Sequence, residues 1–122
     1  MGLTISESQA ALDNRFPTTG AVDHIAYSVN GTSEFANLAR TPVGATGWSA
    51  ATAADPSVKA NSGALTSAAV VTAGGTITHF ALYTAVTAGT QRTDWQALTA
   101  SRVLAVGVQL SWAIGALQVT LT

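Results

Sequence analysis

From Asp23 onward, no stretch of this chain keeps a helical spacing of apolar residues. The pattern instead alternates with a period of two or forms short apolar runs, the signature of β-strands. The clearest case is Thr76–Thr84. Ile77, His79, Ala81 and Tyr83 fall on one face, and Thr78, Phe80, Leu82 and Thr84 on the other. Ile25, Tyr27 and Val29 alternate in the same way, and Asn30-Gly31 follows as a tight-turn signal. Glu34–Arg40 reads as the returning strand. Trp48 opens a further short strand, Asp55-Pro56 marks a turn, and Ala64–Val71 reads as a strand ending before Ala73-Gly74-Gly75. Trp95–Thr99, Arg102–Leu110 and Ala116–Thr122 complete the set. Leu104, Val106, Val108 and Leu110 share one face of their strand, and Leu117, Val119 and Leu121 share one face of the last.

Turn signals every 8 to 12 residues and about eight short strands predict an all-β fold, an antiparallel β-sandwich or jelly roll. The one helix expected lies at residues 4–16. Thr4 with Glu7, and Ser6 with Gln9, have the spacing of a capping box, Leu12 and Phe16 share a face, and Pro17 ends it. The domain organisation expected is an N-terminal arm or helix over 1–20 and a single β domain over 21–122. The helix reads either as a cover for one end of that domain or as an arm that docks on a neighbour.

Composition narrows the function. Charged residues make up 9% of the 122 residues, against roughly 25% in an ordinary soluble domain. Arg15, Arg40, Lys59, Arg92 and Arg102 are spread singly along the chain, so neither a nucleic-acid surface nor a basic membrane-binding patch is expected. No run of about 18 apolar residues exists to cross a membrane, and the first residues lack the pattern of a signal peptide. With no cysteine there is no disulfide and no thiolate zinc site. A neutral surface rich in Ala, Thr, Ser and Gly suits a protein largely covered by partners.

Catalytic patterns are missing as well. There is no Gly-x-Ser-x-Gly elbow, no short-spaced carboxylate pair and no phosphate loop. His24 and His79 are the only histidines, and their spacing fits no closed metal motif. No enzyme activity, metal or cofactor is expected. Asn30-Gly31-Thr32 matches a glycosylation sequon but reads more simply as a turn. Trp48, Trp95 and Trp112 read as packing residues, with ring-stacking on a sugar as the other use of such side chains.

Several segments together carry a resemblance. Gly75-Thr76-Ile77-Thr78-His79-Phe80-Ala81-Leu82-Tyr83 resembles a Thr-His-Phe-Gly-Leu-Phe strand of small structural proteins from tailed bacteriophages. Asn61-Ser62-Gly63-Ala64 stands before it, Trp95-Gln96-Ala97-Leu98 after it, and Gly115-Ala116-Leu117-Gln118-Val119-Thr120-Leu121 at the end, in the same order. The chain departs from that pattern at Ala81, where glycine is usual, and over Glu34–Pro42. The resemblance spans residues 5–122 and implies a virion component made in the host cytoplasm.

Two roles follow from it. The first is a capsid decoration, or cement, protein, bound to the major capsid protein on the outer face of the head as a homotrimer. Leu3, Ile5, Leu12 and Phe16 are its expected partner-binding residues. The second is a tail-fibre or minor tail protein that recognises a host-surface glycan, with Trp48 as the stacking residue.

Overall fold

The computed structural model describes residues 4–20, 23–53 and 57–121. It contains one helix, α1 (Ile5–Arg15), and eight strands: β1 (His24–Ser28), β2 (Thr41–Pro42), β3 (Ser57–Ala60), β4 (Leu65–Thr66), β5 (Gly75–Tyr83), β6 (Gln96–Leu104), β7 (Ser111–Trp112) and β8 (Gln118–Leu121). The β1–β2, β1–β5, β3–β8 and β5–β6 ladders are all antiparallel, and β4 pairs with β7. The fold class is therefore the all-β one expected, with a short N-terminal helix.

The backbone forms two compact units. One draws on the described residues of 1–21, 43–65 and 112–122. Its helix starts where the sequence places it, because the Thr4 side chain accepts a hydrogen bond from the Glu7 amide at 3.2 Å. Glu7 in the first turn and Arg15 in the last complement the helix dipole. The chain leaves the helix at Phe16, whose backbone (φ −127°, ψ 75°) is no longer helical ahead of Pro17. The helix packs on β3 and β8. Its buried Leu12 faces inward, and the buried Phe16 ring meets Trp48 edge-on at 5.5 Å.

Buried Asn61 ties together two further segments of this unit. Its amide donates to the carbonyls of Gly63 (2.8 Å) and Ala113 (2.9 Å), and its oxygen accepts from the Leu117 amide (2.9 Å). One side chain thus bonds three backbone groups, joining its own turn at Gly63 to the Ala113–Leu117 connection.

The other unit draws on 22–42 and 66–111 and is built on a four-stranded sheet of order β2-β1-β5-β6. In β1, Ile25, Ala26, Tyr27 and Ser28 are all buried, so both faces of this inner strand are covered and the alternation carries no exposed side. Tyr27 and Thr41 share a hydroxyl–hydroxyl hydrogen bond of 2.6 Å. Arg92 pairs with the fully buried carboxylate of Asp23.

The strand boundaries differ from expectation in four places. Glu34–Arg40 is not a returning strand. The Asn30 side chain accepts from the Thr32 and Ser33 amides and closes a compact turn just before that segment. Arg40 then folds back onto Glu34. Trp48 forms only an isolated bridge with Asn61. Ala64–Val71 keeps strand pairing only at β4; Ser67 bonds Leu110 through both its amide and its hydroxyl, and the Val70 amide donates to Val108 O.

The two expected strands Trp95–Thr99 and Arg102–Leu110 are instead one strand, β6. It stops at Leu104 because the chain turns at Gly107, whose φ is +87°. Val106 and Val108 are exposed as a result, while Leu104 and Leu110 are buried. The expected Asp55-Pro56 turn lies outside the described residues.

Candidate interaction surface

The strand β6 stands at the edge of the four-stranded sheet, with β5 on one side and no strand on the other among the described residues. Seven of its nine residues are exposed, with Val103 at 80%. A strand with both faces open to solvent is unusual, because sheets ordinarily cover one face.

Its pairing with β5 is also interrupted. Phe80 and His79 pair with Gln96 and Ala97, and Ile77, Thr76 and Gly75 pair with Arg102, Val103 and Leu104. Leu98, Thr99, Ala100 and Ser101 have no register partner on β5, so the strand bulges there. Gly74 closes the sheet beyond the bulge: a Cβ at this position would lie 2.3 Å from the Leu104 carbonyl oxygen, so only glycine fits.

Exposed valines continue from the end of β6. Gly107 donates to Val70 O (2.8 Å) and Val70 to Val108 O (3.0 Å), which brings Val71 beside the Val106–Val108 turn. Val71, Val106 and Val108 are all exposed. Neither Ala60–Gln91 nor Val103–Thr122 holds an Asp, Glu, Lys or Arg side chain. The charges nearest β6 are Asp94, just before it, and Arg102 within it. Both are exposed, and neither forms a salt bridge among the described residues. Long, weakly charged edge strands are the places where chains add strands to one another.

A second cluster surrounds Arg40. Its guanidinium bonds both Glu34 oxygens at 2.9 Å, donates to the carbonyls of Ala85 (2.9 Å) and Ala88 (2.6 Å), and lies 3.9 Å from the centre of the Tyr83 ring. The Glu34 carboxylate raises the Arg40 pKa further above its ordinary range. An open depression lies beside it, lined by Phe35, Leu38, Val86 and Ala88. The arginine's donors are directed at the protein itself, so the cluster ties the 85–89 loop to the sheet.

The residues expected to bind partners are not on β6. Ile5 is exposed at 47%, Leu12 and Phe16 are buried in the packing of their own unit, and Leu3 lies outside the described residues. Trp48 is 2% exposed, its ring against Phe16, and offers no open face to a sugar in this structure. Trp112 is buried too, whereas Trp95 is half-buried, 6.3 Å from the Tyr83 ring.

His24 and His79 sit on neighbouring strands four residues out of register, about 13 Å apart along the sheet. No group of three metal-ligating side chains occurs among the described residues. No described helix is long and apolar enough to cross a membrane. Sequence reasoning missed β6 as a surface because it divided the strand in two. The available signal was the small and polar run Thr99-Ala100-Ser101-Arg102, which supplies no apolar face to bury.

No curated protein matches the chain. The family described as podophage GP4 fiber I protein gp80 matches residues 16–120. The chain belongs to this family of phage structural proteins, and its role is that of a structural component of the virion.

Proposed function

We propose, from that membership, that the chain is a non-catalytic building block of a tail fibre, held in the particle by contacts between protein surfaces. The observation that carries this reading is the match of residues 16–120 to a family described as a fibre protein. The exposed, weakly charged edge of β6 supports it, since a fibre is assembled through such surfaces. Host-glycan contact by this chain would fall to Trp95, the tryptophan that keeps open surface, and not to Trp48.

The second reading is a decoration protein on the head, bound as a trimer to the major capsid protein. A charge content of 9% favours it, because a neutral surface suits broad contacts repeated over a shell, where modest affinity is multiplied by copy number. Among the described residues of its expected contact set, Ile5 is the exposed one.

The deciding experiment is to label the protein on intact virions and image them. Label confined to the tail is the expected result. Label spread over the head would overturn the fibre reading in favour of the shell. Absence from purified virions would overturn both.

A further inference from the structure

We propose that β6 is the surface through which this chain binds a second copy of itself, the two edges running antiparallel about a two-fold axis at Leu98. This goes beyond the fibre reading and does not depend on it. The argument begins with backbone groups. The outer side of β6 carries no strand among the described residues, so the backbone groups that point away from β5 have no strand partner there. Unpaired strand edges are satisfied by another strand, and an identical strand can do this symmetrically.

Charge selects the register. An antiparallel pair centred on Leu98 sets Ala97 opposite Thr99, Gln96 opposite Ala100, and Asp94 opposite Arg102. The last pairing occurs twice, once on each side of the axis. Asp94 and Arg102 are exposed and form no salt bridge among the described residues of their own chain. No other charge lies between them to repel the second copy. Opposite charges at matched positions fix register and orientation in such contacts. The Asp94–Arg102 spacing is thus self-complementary about Leu98.

The test uses the purified full chain and sedimentation velocity over a range of concentrations. The wild type is expected to self-associate, and less so as salt is added. Asp94→Lys and Arg102→Glu should each weaken association at least about tenfold, since each sets like charges opposite one another. The double variant carrying both should restore it, because the pairs are then reversed but complete.

A second measurement reads the axis directly. The chain has no cysteine, so Leu98→Cys introduces a single thiol. Mild oxidation should give a disulfide-linked dimer, because residues directly opposite in an antiparallel pair bring their Cβ atoms to about 5 Å. Thr120→Cys, on β8, should not cross-link. Circular dichroism confirms that every variant is folded. A wild type that stays monomeric up to its solubility limit overturns the proposal. So does a double variant as weak as either single one, or a Leu98→Cys chain that remains monomeric under oxidant.

Discussion

The ammonium of Lys59 lies 2.6 Å from Asp13 Oδ1, and the lysine side chain has 0% exposure to solvent. The same carboxylate oxygen accepts from the Ala51 amide at 3.0 Å. One atom on α1 therefore answers both a buried charge on β3 and a backbone donor of the preceding loop. Taking an ammonium out of water is costly, and this carboxylate is the group that offsets it.

Asp13→Ala should accordingly destabilise the protein by roughly 2–4 kcal/mol, since it leaves a buried charge without its partner. Lys59→Met, which removes the charge and keeps most of the apolar stem, should cost clearly less. Urea unfolding of the two variants checks the order. Equal losses would show that the ion pair does not explain the effect.

The pair also sets a pH dependence. The hydrogen bond from Lys59, and then that from Ala51, hold the Asp13 carboxyl below its ordinary value of 3.8. A lowered carboxylate pKa contributes stability that is present above the unfolded value and is lost as pH falls through the folded one. The melting temperature should thus lose this contribution only below about pH 4. Asp13→Asn should lack that acid-sensitive component when melting is followed between pH 7 and pH 2.

Arg40→Lys should loosen the 85–89 loop. Lysine keeps the charge but loses the two-pronged bond to Glu34 and the flat stack on Tyr83. A cost of roughly 1–3 kcal/mol is expected. Amide hydrogen exchange across residues 84–90 should accelerate, whereas β3 and β8 should keep their rates.

Trp48→Ala should act on the fold and not on a sugar site. Removing a ring buried against Phe16 costs about 3–5 kcal/mol. Thermal unfolding should record that loss. Trp95→Ala, at a half-buried position, should be much milder. A Trp48→Ala protein of wild-type stability would contradict the packing described here.

The helix and β5 were legible because their signals are local. A capping threonine, a proline stop and nine alternating residues need no distant partner to be read. The Glu34–Arg40 segment was not legible, because its shape depends on the turn that the Asn30 side chain closes before it and on the attraction of Arg40 to Glu34 and Tyr83. Lys59 could not be read as an interior residue, since nothing near it in sequence announces that Asp13 will cover it. The break after Leu104 had a marker in Gly107, but the valines on either side carry a strand-like pattern that hid it. The candidate surface was missed for a related reason. Alternation reports burial, and an edge strand with both faces open has none to report.

The pairing of β3 with β8 joins segments separated by about sixty residues. While the chain is being synthesised, Ser57–Ala60 must wait for Gln118–Leu121, an interval of about 3–12 s at ordinary elongation rates. Lys59 stays hydrated through that wait, and the unit that buries it closes late. Nascent chains halted before residue 118 should therefore stay protease-sensitive around β3, and protection there should arrive in one step once β8 has emerged from the ribosome.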